Sequence, residues 1–162
     1  MRLGITMRQA ALAIALAAAA TIGGAYIFQY GWGYVPCKLC LWQRTPYYAG
    51  IVLAVLTALL PPGARRAGLW LLALVFAGSA ILGAYHAGVE WGVFAGPSDC
   101  GGGAGPAAGN VGDFLNQLQS TRVVSCTEAA WRFLGLSLAG WNVLISLALA
   151  AFAGLAAREG RA

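Results

Sequence analysis

The sequence predicts an all-α integral membrane protein, a bundle of four transmembrane helices forming one domain of 162 residues. Composition is the first reason, because 60% of the residues are hydrophobic, only 9% are charged, and the mean hydropathy is +0.72. The second is that four apolar segments approach the roughly 20 residues that a helix needs to cross a bilayer. No alternating strand pattern is present, so helices are left to satisfy the backbone hydrogen bonds in lipid.

The predicted spans are joined by connections of unequal length, and they lie at residues 9–30, 41–60, 68–86 and 133–157. The first connection, residues 31–40, is short and contains a Cys-x-x-Cys pair. The second reads PPGARRA, and its prolines and glycine predict a break between helices. The third, residues 87–132, is long and contains Cys100 and Cys126. Two connections therefore carry all the thiols of the chain.

Within the long connection, a glycine-rich stretch after Cys100 predicts a flexible linker. The following DFLNQLQS places Phe114, Leu115 and Leu118 at helical spacing with polar residues opposite. This pattern predicts a short helix lying on the membrane surface, which would hold the loop near the membrane.

The distribution of arginine predicts the orientation of the chain. Arginines precede the first span, lie in the second connection and follow the last span, while four of the five acidic residues lie in the third connection. The positive-inside rule then places both termini in the cytoplasm and all cysteines outside, where disulfides persist. The first span could also be read as a cleavable signal peptide, but its apolar run is longer than usual. The net charge of +5 is scattered rather than gathered in a stripe, so no nucleic-acid binding is expected.

The cysteines allow several kinds of chemistry. The residue after Cys40 is leucine, so the Cys-x-x-Cys-His signature of haem attachment fails. Cys100 and Cys126 lack the close spacing of structural zinc sites, and no metal is predicted. Two inert disulfides remain an alternative. However, a bridge between Cys37 and Cys40 would close a very small loop and add little stability, which favours a reactive pair.

Arg44 is the cation nearest to the pair on its C-terminal side. A thiolate is stabilised by a helix N-terminus or by a neighbouring cation. If the second helix begins at the cysteines, Cys40 and Arg44 share one face of it. Pro46 suggests the alternative that the helix begins near Thr45, with proline in its first turn. Arg44 could also be an interfacial residue that reaches the lipid headgroups.

Three stretches together resemble the disulfide bond formation protein B (DsbB) family: PCKLCLWQR at 36–44, YHAGVEWG at 85–92 and CTEAAWRFLGLSLAGWN at 126–142. The resemblance covers nearly the whole chain. It implies a multi-pass protein of the bacterial inner membrane that reoxidises a periplasmic DsbA-like thiol oxidase. The electrons would pass to a membrane quinone, either ubiquinone or menaquinone.

The resemblance also implies a role for each matching residue. Cys37 and Cys40 match the pair near the quinone, with Cys40 as the thiolate that contacts the ring and Arg44 placed against it. Cys100 matches the residue that forms a mixed disulfide with the oxidase, and Cys126 matches its partner, which then exchanges with Cys37. A scaffold stapled by disulfides, or a reductase working in the opposite direction, remain as alternatives.

His86 is the only histidine in the chain and ends the third predicted span. Because quinone reduction consumes protons, we expect His86 to bind the quinone or to transfer a proton. The alternative is a hydrogen-bonded histidine packed between helices.

Overall fold

A computed structural model describes residues 4–97, 110–112, 122–123 and 125–161, the side chains of 122–123 excepted. It is dominated by four long helices: α1 (Met7–Tyr26), α2 (Lys38–Leu59), α3 (Pro62–Glu90) and α4 (Leu138–Glu159). The predicted all-α class is therefore confirmed. Cys100 and the predicted surface helix at 113–120 lie outside the described residues.

Two pairs of two-residue strands accompany the helices near the cysteines. β1 (Tyr34–Val35) pairs in parallel with β2 (Arg122–Val123), which joins the two cysteine-bearing connections. β3 (Arg132–Phe133) and β4 (Leu136–Ser137) form an antiparallel hairpin directly before α4. The sequence did not predict these strands, because two residues are too few to show an alternating pattern.

Helix α1 begins with a capping box, in which the Thr6 side chain accepts from the backbone N–H of Gln9 and the Gln9 side chain accepts from the backbone N–H of Thr6. The helix continues as a π-helical turn, Ile27–Gly31, and Gly33 then reverses the chain at φ +72°. A glycine suits this left-handed conformation because it has no Cβ. The π-helical turn places Phe28 and Gln29 beside the site described below.

Helix α2 begins at the cysteine pair, with Cys37 as its N-cap and Pro46 inside it. The alternative start near Thr45 is therefore wrong. A proline in a helix interior costs about 3 kcal/mol, but the first two turns gain the Cys37 cap and the burial of Leu39 and Gln43. Those contacts exist only after folding, so the sequence pattern did not reveal them.

Helices α3 and α4 both differ from their predicted limits. Pro62 occupies the first turn of α3, where its missing N–H is not needed, so the second connection is shorter than the predicted 61–67. The same helix runs on to Glu90, one turn beyond the predicted end at 86. Helix α4 begins at Leu138 instead of 133, because Leu134 (φ +50°) and Gly135 (φ +81°) form the preceding hairpin turn.

The helices pack in chain order, α1 on α2, α2 on α3, and α3 extensively on α4. Glycines allow the close approaches: a Cβ at Gly50 would lie 2.7 Å from the Phe76 ring, and one at Gly83 would lie 3.0 Å from the Asn142 side chain. Helices α1 and α4 meet at one end, where the Met7 N–H donates to the carbonyl of Arg161 at 2.9 Å. Residues toward their other ends line a cavity.

Within the described residues, three helical segments are long and apolar enough to cross a membrane: Met7–Gly31, Pro62–Glu90 and Leu138–Glu159. Helix α2 has 22 residues, but its first turns contain Lys38, Gln43 and Arg44 and lower its apolar character. The protein is thus a multi-pass membrane protein. A fourth span formed by α2, and the orientation of the termini, remain predictions.

Candidate active site

The cysteine pair lies at the N-terminus of α2. Cys37 is fully buried, and its Sγ accepts a hydrogen bond of 3.2 Å from the backbone N–H of Cys40. The two sulfur atoms lie 2.7 Å apart, and both cysteines are free thiols. The exposed N–H groups of a helix N-terminus favour negative charge, so this cap position suits a thiolate.

The charge of the pair belongs to Cys37. Its hydrogen bond with the Cys40 thiol, helped by His86 and by the Cys40 backbone N–H, lowers the pKa of Cys37 from 9.0 to about 5, although burial opposes the change. Cys37 is therefore a thiolate at neutral pH. The same hydrogen bond, together with burial, raises the pKa of Cys40, and the role of Cys40 as the thiolate that contacts a quinone stays a prediction.

His86 connects this pair to the interior of the bundle. It is only 3% exposed, and its Nε2 lies 3.7 Å from Cys37 Sγ. Its Nδ1 lies 2.8 Å from the Gln43 side-chain nitrogen. If that amide donates to Nδ1, the ring proton is on Nε2 and points its positive end at the Cys37 sulfur. Gln43 thereby sets the tautomer that stabilises the thiolate.

Cys126 lies against the same group. It is buried and disulfide-bonded, and its Sγ lies within 4.8 Å of both Cys37 Sγ and a ring nitrogen of His86. Residues from the first connection, α3 and the third connection thus meet at one point. The structure thus has Cys126 near Cys37, whereas the exchange between them remains a prediction.

Arg44 lies half-buried beside Cys40 on the wall of the cavity. Its guanidinium donates to the Gln29 side-chain oxygen at 2.6 Å and lies over the Tyr26 ring, 5.2 Å from the ring centre. These contacts fix the side chain against α1 and the π-helical turn.

The cavity has a volume of about 320 Å³ and lies between the ends of α1, α2, α3 and α4 nearest to the cysteines. Its wall is mainly apolar. The polar side chains that line it are Gln29, Cys40, Gln43, Arg44, Tyr47, His86, Glu90 and Asn142. Predominantly apolar pockets with a few placed polar groups are typical of sites for small organic ligands.

Two lining residues have buried polar atoms without a hydrogen-bond partner among the described residues, Glu90 Oε2 and Asn142 Nδ2. The oxygen of the Asn142 amide is satisfied, because Tyr47 donates to Oδ1 at 2.7 Å. Glu90 Oε1 lies 4.0 Å from His86 Nε2. Unpaired buried polar groups are costly, so these atoms are suited to binding a ligand.

Sequence reasoning gave no site role to Gln43 or Asn142. The spacing of His86 and Glu90, one helical turn apart, was the one available signal. Gln43, Tyr47 and Asn142 belong to no motif, since their roles depend on which helices face each other. The predicted residues Cys37, Cys40, Arg44, His86 and Cys126 are brought together, and Cys100 lies outside the described residues.

The fold and site define a class of protein: a helical membrane protein with a cysteine pair in which one thiol has a low pKa, a nearby disulfide and an apolar cavity beside them. The sequence matches the model of the family described as disulfide bond formation protein DsbB over residues 7–156. The chain belongs to this family. Membership supports a function in disulfide bond formation, carried out by thiol oxidoreductase chemistry.

Individual relatives agree with the family match. The chain is 32% identical over 160 residues to disulfide bond formation protein B of Nitrosomonas europaea, with 92% of each chain covered. It is 31% identical over 147 residues to the protein of the same name from Xanthomonas oryzae pv. oryzae, covering 85% of this chain and 83% of the relative. An uncharacterized protein of Rickettsia prowazekii is 33% identical over 132 residues, or 81% of this chain and 76% of the relative. No solved structure matches the chain.

Proposed function

We propose that the protein reoxidises a periplasmic DsbA-like thiol oxidase and passes the electrons through Cys100 and Cys126, then Cys37 and Cys40, to a membrane quinone. The observation that carries this proposal is the position of Cys126 Sγ, within 4.8 Å of Cys37 Sγ and beside the cavity. Two cysteine pairs that only stapled separate loops would not need to meet. Family membership supports the direction of the reaction, toward disulfide formation.

Exchange between the pairs needs a thiolate next to a disulfide sulfur. A thiolate of the reduced oxidase first attacks Cys100, which breaks the Cys100–Cys126 bond and releases Cys126 as a thiolate. The second thiol of the oxidase then attacks the mixed disulfide, so the oxidase leaves oxidised and Cys100 leaves as a thiolate. The Cys126 thiolate attacks Cys37 of an oxidised Cys37–Cys40 pair, and Cys40 leaves as a thiolate. Arg44 lies next to that position and stabilises the departing negative charge. Cys100 then restores its bond to Cys126, and Cys37 leaves as the second thiolate, which its helix cap and His86 stabilise.

The cavity fits the head group of a quinone. Its apolar wall suits a ring, and the unpaired atoms Glu90 Oε2 and Asn142 Nδ2 suit polar substituents on the ring. When bound, a quinone, ubiquinone or menaquinone, would accept the two electrons and two protons of the dithiol. Arg44 would supply positive charge at one side of the ring, and His86 and Glu90 would hold protons near it.

The four-span topology, with cytoplasmic termini in a bacterial inner membrane, belongs to the same proposal. Three apolar helices and the family match support a multi-pass protein, and the arginine distribution supports the orientation. This topology would put both cysteine pairs where a periplasmic oxidase can meet them.

The test is a reaction of purified full-length protein with a reduced DsbA-like oxidase and a soluble quinone, followed by quinone absorbance. We expect catalytic loss of quinone absorbance and stoichiometric oxidation of the oxidase. Cys37→Ala should abolish both. Cysteine pairs that stay oxidised while the reduced oxidase is present would instead support a structural role.

A further inference from the structure

Three buried metal-ligand groups converge beside the cavity. Cys37 Sγ, Cys126 Sγ and a ring nitrogen of His86 all lie within 4.8 Å of one another, and all three residues are buried. They come from the start of α2, the end of α3 and the third connection. The sequence argument against zinc depended on spacing along the chain, and it did not consider His86 as a ligand.

The distances suit a tetrahedral ion. With metal–sulfur bonds of about 2.3 Å and metal–nitrogen bonds of about 2.0 Å, sulfur and nitrogen ligands lie about 3.6 Å apart, and two sulfurs about 3.8 Å apart. Cys37 Sγ and His86 Nε2 are 3.7 Å apart, and the remaining separations are at most 4.8 Å. Side-chain shifts of about 1 Å or less would complete three corners, and water would take the fourth.

The surroundings also suit a metal. The Cys37 sulfur is already stabilised as a thiolate by hydrogen bonds. It would therefore bind the ion as a negatively charged ligand that neutralises part of the charge of the metal. Gln43 contacts His86 Nδ1 at 2.8 Å and, with its amide turned, would accept from Nδ1–H when Nε2 binds the ion. This is the outer contact that orients metal-bound histidines in general.

We propose that the reduced protein binds one divalent ion of the zinc class on Cys37, Cys126 and His86. The site requires Cys126 as a free thiol, whereas the structure has Cys126 in a disulfide, so binding depends on the redox state. Binding releases the Cys126 proton and involves no electron transfer. The bound ion would inhibit the proposed electron transfer, because it would occupy both sulfurs that must exchange. This consequence rests on the proposed function.

The experiment titrates Zn²⁺ into chemically reduced, quinone-free, full-length protein in detergent, in competition with a chromogenic chelator. Co²⁺ serves as a spectroscopic probe for thiolate ligands. We expect one ion per reduced chain and none on the oxidised chain. Cys126→Ser and His86→Ala should each weaken binding by at least about 10-fold, and Gln43→Leu by about 10- to 100-fold.

Cys40→Ser is the matched control, because it removes a neighbouring thiol but leaves the three proposed ligands. Cys40→Ser should retain metal binding. His86→Cys, which replaces the nitrogen ligand by a sulfur ligand, should bind the metal more tightly than His86→Ala does. The reverse pattern, with binding lost in Cys40→Ser and kept in Cys126→Ser, would mean a simple Cys37–Cys40 chelate and would overturn the proposal. Quinone reduction measured on metal-free wild-type protein tests the proposed function separately.

Discussion

At the scale of single residues, Cys37 differs from Cys40 although the two are three positions apart. The backbone N–H of Cys40, its thiol and His86 all point at Cys37 Sγ. The hydrogen bond with the Cys40 thiol contributes most to the lowered pKa of Cys37, and His86 and the backbone N–H at the helix cap add to it. This difference makes the reactivity of the two thiols separable by pH.

Because the pKa of Cys37 is lowered to about 5, its thiolate is present above that pH and is lost as the pH falls through it. We expect the alkylation rate of Cys37 in the reduced protein to stay nearly constant from about pH 6 to about pH 8 and to fall near pH 5. His86→Ala should move the midpoint upward, because one hydrogen bond to the sulfur is lost. Peptide mass spectrometry with iodoacetamide gives the rate for each cysteine. An unchanged midpoint in that variant would remove His86 from the account of the thiolate.

Arg44 tests the electrostatics of the cavity. Removing its charge should lower kcat/KM for quinone by about 100-fold in Arg44→Ala, as for the loss of a donor at a developing negative charge. The decrease in kcat/KM should be smaller in Arg44→Lys, because lysine keeps the charge. Some decrease should remain, because lysine lacks the planar fork of donors that reaches Gln29. Exchange with the partner oxidase should survive in both.

Arg158→Ala is the matched control for Arg44, since Arg158 is exposed near the end of α4, far along the chain from the cysteine end of that helix. It should keep wild-type kinetics. Full quinone reduction by Arg44→Ala at limiting quinone would show that Arg44 serves only to hold α1 against α2.

At the scale of helices, close packing depends on a few glycines. A Cβ at Gly50 of α2 would lie 2.7 Å from the buried Phe76 ring of α3, whereas a Cβ at Gly78 would meet nothing within 4 Å. Gly50→Ala should therefore destabilise the protein by about 1–3 kcal/mol through overpacking. Gly78→Ala should stabilise it by about 0.5–1 kcal/mol, as expected for alanine in a helix interior. Thermal unfolding in one detergent compares the two, and an equal Tm would show that α2 and α3 separate easily.

The helices also show how far the sequence could predict this fold. Four apolar segments predicted four long helices, because lipid-facing surface must be apolar along its whole length. The predicted ends of the helices were less accurate where a cap or a turn decides them, as at Cys37, Pro62 and Leu138. The π-helical turn had no signal, since it places one extra residue in a helix without changing its composition.

The residues of the site also fall into two groups, those whose role the sequence revealed and those whose role depends on the fold. The chain has only four cysteines and one histidine, and Arg44 follows the cysteine pair closely, so their chemistry was visible in the sequence. Gln43 and Asn142 acquire a role only when α2 meets α3 and α4, as in the hydrogen bond from Tyr47 to Asn142. Partners from other helices cannot be read from one sequence.

At the scale of the whole molecule, orientation is the feature that the function needs most. If both cysteine pairs face the periplasm, a membrane-impermeant maleimide applied to intact spheroplasts after reduction should label cysteines in both connections. A single cysteine introduced at Ala162, in a variant lacking the native four, should be labelled only after permeabilisation. Labelling in the opposite order would reverse the topology and place the thiols in a reducing compartment.

The way in which α1 and α4 meet has a consequence for access to the site. Backbone hydrogen bonds join them beside Met7, and the burial of α1 decreases from that end until none of Ile27–Gly31 is buried. The π-helical turn is thus the least buried part of this segment, and two of its residues, Phe28 and Gln29, line the cavity. If the cavity binds the membrane quinone of the proposed function, the ring would enter from the bilayer past this turn and leave its hydrocarbon tail among the lipids. Supply of such a molecule is set by its amount per area of membrane, not by its concentration in water.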